Sequence, residues 1–221
     1  MKVYFIPGIG ADYRLFLHLR LPEGYEPAYI HWIPPIKKEQ LRDYAHRLIQ
    51  QVDTTEPFVL AGLSLGGMMA VEMAKRIPPV CTILISSVSS STELPRLYRV
   101  AGALQLGHLI PASLMKLATL IKHSIWMRSA AGRRLMRQIV NAGDNRFIHW
   151  ALSAVLDWKN TTIPQPLYHL HGTRDEIFPL RLTCPTHIFP KGRHMFLITH
   201  PEAVNNFLLE VLPPIHRRTL A

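Results

Sequence analysis

A serine in a glycine-rich turn between a buried strand and a helix constrains the fold of this chain more than any other feature. Residues 58–61 are apolar, the pattern G-x-S-x-G follows, and a helix-forming run comes next. A serine on so sharp a turn has strained backbone angles, and the turn leaves room only for glycine at Gly62 and Gly66. The segment predicts an exposed nucleophile, Ser64, with the backbone N–H of Leu65 placed to stabilise negative charge.

Short β-rich runs alternate with helical patterns along much of the chain, which is typical of parallel βαβ units. Apolar residues recur at helical spacing over 38–51 and again near the C-terminus, at Val204, Phe207, Leu208 and Val211. We therefore expect an α/β fold, with a mostly parallel sheet of six strands and helices on both faces. The predicted strands are 3–6, 28–33, 58–61, 82–85, 167–170 and 186–189.

The alternation stops between residues 88 and 159, where mostly helical patterns replace it. Since 221 residues suffice for one sizeable core, this segment is interpreted as an insertion. The predicted organisation is a core of residues 1–87 and 160–221 with a helical insertion at 88–159.

The formal net charge of +10 raises the question of an acidic partner. The predicted insertion contains ten Lys or Arg residues against three Asp or Glu, which is +7 of that total. No nucleic-acid-binding motif accompanies the charge, so no nucleic-acid partner is expected. Two cysteines, Cys81 and Cys184, cannot build a disulfide framework, and no signal peptide or bilayer-spanning run is visible. A cytoplasmic location without a membrane span is expected.

Three further segments carry chemistry-bearing residues in a fixed order. Residues 3–10 form an apolar run that ends in Pro-Gly-Ile-Gly, and 167–179 form a strand followed by His-Gly-Thr-Arg-Asp, which ends at Asp175. The third segment, 189–194, is a loop that ends at His194. Together with the serine turn, these segments resemble the α/β-hydrolase family over nearly the whole chain.

The resemblance implies a catalytic triad of Ser64, Asp175 and His194, in the chain order typical of that family. His194 would take the proton from Ser64, and Asp175 would orient the imidazole and stabilise its charged form. The resemblance also implies an oxyanion hole made by the backbone N–H groups of Ile9 and Leu65, with Gly8 as the alternative to Ile9. Pro7 stands where the family often has histidine.

Other residues could take some of these roles. Asp157 is the rival for the triad acid, while Glu176 is expected to be solvated and His200 to cap a helix. His169 and His171 share one face of a strand, which suggests a metal pair. No carboxylate or cysteine completes a ligand set at the right spacing, so both are interpreted as structural, and no metal or cofactor is expected.

The resemblance implies a serine hydrolase that cleaves a small-molecule carboxylic ester or thioester through an acyl-enzyme. Acyl transfer, amide or carbon–carbon bond hydrolysis, and non-catalytic ligand binding stay open as alternatives. The insertion would form a cap, whose charge suggests an anionic substrate as a hypothesis. Some of its apolar residues are expected to line a pocket, while packing against the core is the alternative for each. These are Leu104, Leu114, Met115, Leu117, Met127, Leu135, Met136, Phe147, Trp150 and Trp158.

Overall fold

The computed structural model describes residues 1–104, 111, 113, 116 and 129–215. Its centre is a sheet of six strands in the order β2-β1-β3-β4-β5-β6, and every neighbouring pair is parallel. This confirms the α/β fold expected from the sequence. The strands are β1 (Lys2–Ile6), β2 (Glu26–Tyr29), β3 (Phe58–Leu63), β4 (Cys81–Ile85), β5 (Leu167–Gly172) and β6 (His187–Phe189).

Helices cover both faces of the sheet. The α-helices of the described residues are α1 (Leu41–Leu48), α2 (Leu65–Ala74), α3 (Arg96–Ala103), α4 (Ala130–Ala142), α5 (Asn145–Leu156), α6 (Phe196–Thr199) and α7 (Pro201–Val211). Short 3₁₀ helices connect several of them.

Two apolar layers hold these helices to the sheet. On one face, α1, α2 and α5 contribute buried side chains such as Leu41, Met68 and Phe147. On the other face, α4 and α7 contribute Met136 and Phe207. All six residues of β3 are buried because helices cover this central strand on both sides. The rigid sheet places the carboxyl ends of β3 and β5 at the same edge, where α/β proteins build their sites.

The second strand lies earlier than 28–33, because it ends at Tyr29. Pro27 fits there because β2 is an edge strand, where a missing N–H disturbs no further neighbour. Beyond Ile30, side chains replace a neighbouring strand as hydrogen-bond partners. The N–H of His31 donates to Gln51, and that of Ile33 donates to the Tyr44 hydroxyl.

The first helix is shorter than the predicted 38–51, because α1 begins at Leu41 and a 3₁₀ turn, Ile49–Gln51, follows it. Lys38 has a φ of 61°, which is incompatible with a helix start at that residue. Glu39 instead binds Arg47 through its carboxylate at 2.7 Å.

The segment between β4 and β5 contains α3, α4 and α5 and no strand among its described residues. Its last helix packs closely on the rest of the chain. The indole N–H of Trp150 donates to the Glu39 carbonyl at 2.8 Å, and that of Trp158 donates to the buried Glu72 carboxylate at 2.8 Å. Phe147 stacks on Trp32, with 4.7 Å between ring centroids.

Four of the ten apolar residues that we considered as pocket-lining are packed against the core. Phe147, Trp150, Trp158 and Met136 belong to the two apolar layers, while Leu104 is exposed. Leu135 lines a cavity. The remaining ones, Leu114, Met115, Leu117 and Met127, lie outside the described residues. None of the helices within the described ranges has the length and apolar character that a bilayer span requires.

Candidate active site

Ser64 lies between the last residue of β3 and the first residue of α2, with a φ of 54° and a ψ of −118°. A non-glycine residue in this region is strained, so the surrounding structure must hold it in place. The N–H of Ser64 donates to the Ile85 carbonyl, and the Ser87 hydroxyl donates to the Ser64 carbonyl at 2.6 Å. These bonds fix the turn and leave the Ser64 side chain partly exposed.

The glycines on either side of Ser64 are required by close backbone packing. A Cβ atom at Gly62 would collide with the backbone of Gly66, and one at Gly66 would collide with the Ile6 carbonyl oxygen. The strain itself is located on Ser64, whereas both glycines are needed for space. The G-x-S-x-G motif therefore reflects two separate requirements, a strained backbone at Ser64 and a lack of space at the two glycines.

The structure brings Ser64, Asp175 and His194 into one hydrogen-bonded chain. His194 Nε2 lies 2.9 Å from Ser64 Oγ, and His194 Nδ1 lies 2.9 Å from one oxygen of Asp175. A carboxylate can only accept, so Nδ1 carries the proton and Nε2 is left to accept from the serine hydroxyl. Asp175 and His194 are buried, so little water competes for these bonds.

The Asp175 carboxylate is held from several sides. Its Oδ1 accepts the N–H groups of Ile177 and Phe178, both at 2.9 Å. Burial raises the pKa of Asp175, but the charge and hydrogen bond of His194 and the bond from Phe178 outweigh it, and the pKa lies below its ordinary value. The group is therefore ionised at neutral pH, as an acceptor for the histidine must be.

A buried histidine pair lies behind Asp175. His171 Nε2 is 2.8 Å from the Phe178 carbonyl oxygen and 3.6 Å from Asp175 Oδ2, so it carries the proton. His169 Nε2 lies 3.0 Å from His171 Nδ1 and donates to it. Burial lowers the pKa of His169 to about 3 and also lowers that of His171, so both rings are neutral. This arrangement agrees with their interpretation as structural residues.

Two backbone segments considered for an oxyanion hole, the start of α2 and the loop after β1, lie beside Ser64. Leu65 is the first residue of α2, where the N–H has no partner within the helix. A Cβ atom at Gly8 would lie 3.6 Å from the Ser64 Cβ, so the loop after β1 passes beside the nucleophile. Ile9 is the next residue of that loop, which turns at Gly10 with a φ of 65°.

The other candidates named from the sequence have different surroundings. Asp157 follows α5 and lies beside Gly102 of α3, while Asp175 is bonded to His194. Glu176 is exposed, as expected, and its carboxylate also accepts the His194 N–H at 3.3 Å. His200 is the N-cap residue of α7, as expected, although its side chain makes no capping bond and its Nδ1 contacts the Thr199 hydroxyl. Three-residue groups of metal-ligating type do not occur in the described part of the chain.

The supporting contacts of two residues near the site were not expected from the sequence. Ser87 supports the serine turn, and its serine-rich surroundings gave no signal that one hydroxyl would point at Ser64. Glu176 fixes the backbone of His194 from a loop 18 residues away, and no local pattern reveals such a contact.

Comparison with known proteins shows the family and the fold of the chain. The sequence model of the Alpha/beta hydrolase family matches residues 3–207. A search of curated protein sequences finds no match. Similar solved structures include a thermophilic esterase from Thermogutta terrifontis, which is 18% identical with a TM-score of 0.69 and coverage of 96% of this chain and 89% of that one.

Two more structures show the same fold. A hydrolase from Pseudomonas aeruginosa PA01 is 15% identical with a TM-score of 0.71, and coverage is 96% of this chain and 89% of that one. YbtT, a type II thioesterase from the yersiniabactin biosynthetic pathway, is 16% identical with a TM-score of 0.65, at 96% and 92% coverage. With the family match over residues 3–207, the chain belongs to the alpha/beta hydrolase family and is an enzyme of the hydrolase type.

Proposed function

We propose that this chain is a serine hydrolase that cleaves a small-molecule carboxylic ester or thioester through an acyl-enzyme on Ser64. The observation that carries the proposal is the hydrogen-bonded chain from Ser64 Oγ through His194 to Asp175, with both contacts at 2.9 Å. These are the distances that proton transfer from a nucleophile to a general base requires.

His194 Nε2 takes the proton as Ser64 Oγ attacks the carbonyl carbon, and it later gives that proton to the leaving oxygen or sulfur. Asp175 keeps the imidazole in the Nδ1–H tautomer and stabilises its charged form. The N–H groups of Leu65 and Ile9 bind the oxyanion of the tetrahedral intermediate. Water then repeats the sequence on the acyl-enzyme, again with His194 as base, and releases the acid.

Residues 88–159 form the cap in this proposal. Support comes from Gly143 and Ile148 of this segment, which lie against Gly10 in the loop after β1, close to the nucleophile. A reducing cytoplasmic setting fits the two free thiols, one of which, Cys184, is exposed.

A fluorophosphonate probe tests the reaction class, because it reacts with a serine activated by a neighbouring base. We expect stoichiometric labelling that mass spectrometry locates on the peptide containing Ser64. Ser64→Ala removes the nucleophile and should abolish both the label and ester hydrolysis. His194→Gln should slow labelling by about 10³-fold or more, since the base is lost. Label on another residue, or ester hydrolysis that survives Ser64→Ala, contradicts the mechanism.

An ester, a thioester and an amide of one acyl group test the substrate class. We expect turnover of the ester and thioester and little of the amide, whose leaving group is poorer. Thiols or alcohols added as acceptors separate hydrolysis from acyl transfer, because a transferase forms the new ester or thioester in preference to the acid. Preferential cleavage of the amide, or transfer that outruns hydrolysis, would replace the proposed reaction.

A further inference from the structure

A cavity of about 680 Å³ lies beside the triad, against the loops that carry Asp175 and His194. This volume is in the range of small-molecule sites. The triad side chains are not part of its wall. The wall is formed by His18, Ser129, Ala131, Gly132, Leu135, Arg174, Glu176, Lys191, Arg193, Met195, Ile198, Thr199 and His200.

The cavity is positively charged. Arg174, Lys191 and Arg193 face it together with one acidic residue, Glu176. Glu176 is already engaged, since it accepts the His194 N–H and lies 4.0 Å from Arg193. Arg174 and Lys191 are exposed and have no ion pair with any described residue of the chain. Their charges are therefore available to an anion.

The cations of this cavity come from the loops after β5 and β6 and not from the strongly basic segment 88–159. That segment contributes the start of α4, with Ser129, Gly132 and Leu135. Leu135, Met195 and Ile198 give the wall an apolar part beside the cations. Such a combination suits a molecule with an aliphatic portion and a charged end.

The cavity is adjacent to the reaction centre in the chain. Arg174 and Glu176 flank Asp175, and Arg193 and Met195 flank His194. The cationic wall and the triad therefore share two short loops, and neighbouring residues in them have Cα atoms only about 3.8 Å apart. A group bound here would therefore lie next to the loops that present Asp175 and His194 to Ser64.

We propose that this cavity binds an anionic group of the substrate, a carboxylate or a phosphate, carried at a distance from the scissile bond. Arg174 and Lys191 supply the charge, and the guanidinium can bind two oxygens of the anion at once. Leu135, Met195 and Ile198 contact the aliphatic part. The inference rests on the proposed function, because it assigns a substrate class to the same enzyme.

Nitrophenyl esters of matched length test an anion on the acyl group. One series ends in a carboxylate, from succinyl to suberyl, and the other ends in a methyl group. We expect higher kcat/KM for the carboxylate at one optimal length. Arg174→Gln or Lys191→Gln should lower kcat/KM for that ester about tenfold more than kcat/KM for the methyl-terminated ester of the same length. Arg137→Gln, on an exposed part of α4 outside the cavity wall, is the matched control.

Thioesters test an anion on the leaving group. Acyl-coenzyme A carries phosphates, and the N-acetylcysteamine thioester of the same acyl group does not. A preference for acyl-coenzyme A that Arg174→Gln or Lys191→Gln removes assigns the anion to the leaving group. A preference in the carboxylate series instead assigns it to the acyl group. Equal kcat/KM within both comparisons, with neutral esters still hydrolysed, overturns the inference but not the proposed function.

Binding without turnover provides an independent readout. Calorimetric titration of the full chain with adipate and with phosphopantetheine should show saturable binding that weakens about tenfold in Arg174→Gln. Pantetheine without its phosphate is the neutral control. If neither anion binds more tightly than pantetheine, the cavity is not an anion site, whether or not the chain hydrolyses esters.

Discussion

The proton on His171 Nε2 lies between two acceptors, the Phe178 carbonyl oxygen and the Asp175 carboxylate. Phe178 also donates its own N–H to Asp175, so one short loop is fixed through both of its backbone groups. His171 itself is held by the N–H of His169. The acid of the proposed triad is thus positioned by neutral, buried histidines whose tautomers follow from their neighbours.

Replacement of His171 measures how much this buried chain of bonds contributes to stability. We expect His171→Phe to lower the free energy of unfolding by about 2–6 kcal/mol, because it leaves the Phe178 carbonyl and the His169 N–H unpaired at about 1–3 kcal/mol each. His171→Gln should cost less, since its amide N–H₂ can still donate to Phe178. Urea unfolding of both variants checks this. Equal losses would mean that volume, and not the hydrogen bond, determines the effect.

At the level of single residues, the sequence revealed where chemistry could occur but not every contact that supports it. Ser64 carries a local signature because its strained turn requires Gly62 and Gly66. Glu176 and Ser87 carry none, because each acts on a residue distant in sequence. His200 precedes a helix, as a cap would, yet its side chain turns to Thr199.

Among the elements, β3 and α2 are joined by an unusually short connection, because Ser64 alone lies between them. Their junction packs Gly66 against the end of β1, with no space for a side chain. Such steric requirements are visible in a sequence as fixed glycines. The ends of β2 and α1 are not visible in the sequence in this way, because they depend on Pro27 at the sheet edge and on side chains that bind the backbone of 31–33.

A methyl group at the junction tests this packing. Gly66→Ala places a Cβ against the Ile6 carbonyl oxygen, so β1 and α2 must move apart. We expect a loss of at least about 3 kcal/mol in the free energy of unfolding, at the upper end of point-mutant effects. Gly8→Ala is the matched control, because its Cβ would make only ordinary contact at 3.6 Å, with a cost below about 1 kcal/mol. Comparable losses in the two variants would refute the steric explanation.

For the whole molecule, buried titratable groups couple stability to pH. The pKa of His169 falls from its ordinary 6.5 to about 3 in the folded chain through burial, and that of His171 is lowered in the same direction. The unfolded chain therefore binds protons in this range that the folded chain does not. The stability that the two neutral histidines contribute is fully present above about pH 6.5 and is lost as the pH falls toward 3. The ionised Asp175 contributes stability that is lost as the pH falls below 3.8.

Unfolding free energies measured between pH 7.5 and 4.5 check this coupling. Each histidine that is neutral only when folded contributes a slope of up to about 1.4 kcal/mol per pH unit. His169→Gln should reduce the pH dependence of the unfolding free energy by the contribution of one histidine. His46→Gln, at an exposed position of α1, is the control that should leave it unchanged. An unaltered slope in His169→Gln would show that the ring is protonated in the folded chain.

The separation of Ser64 from His194 in the sequence determines the stage of folding at which the nucleophile becomes reactive. The two side chains meet across 130 residues of sequence, and the loop that delivers His194 follows the last strand of the sheet. Local folding of the first half cannot bring them together, so the nucleophile becomes reactive only when almost the entire polypeptide is native. The rate of fluorophosphonate labelling during refolding should therefore follow the last, long-range step of assembly.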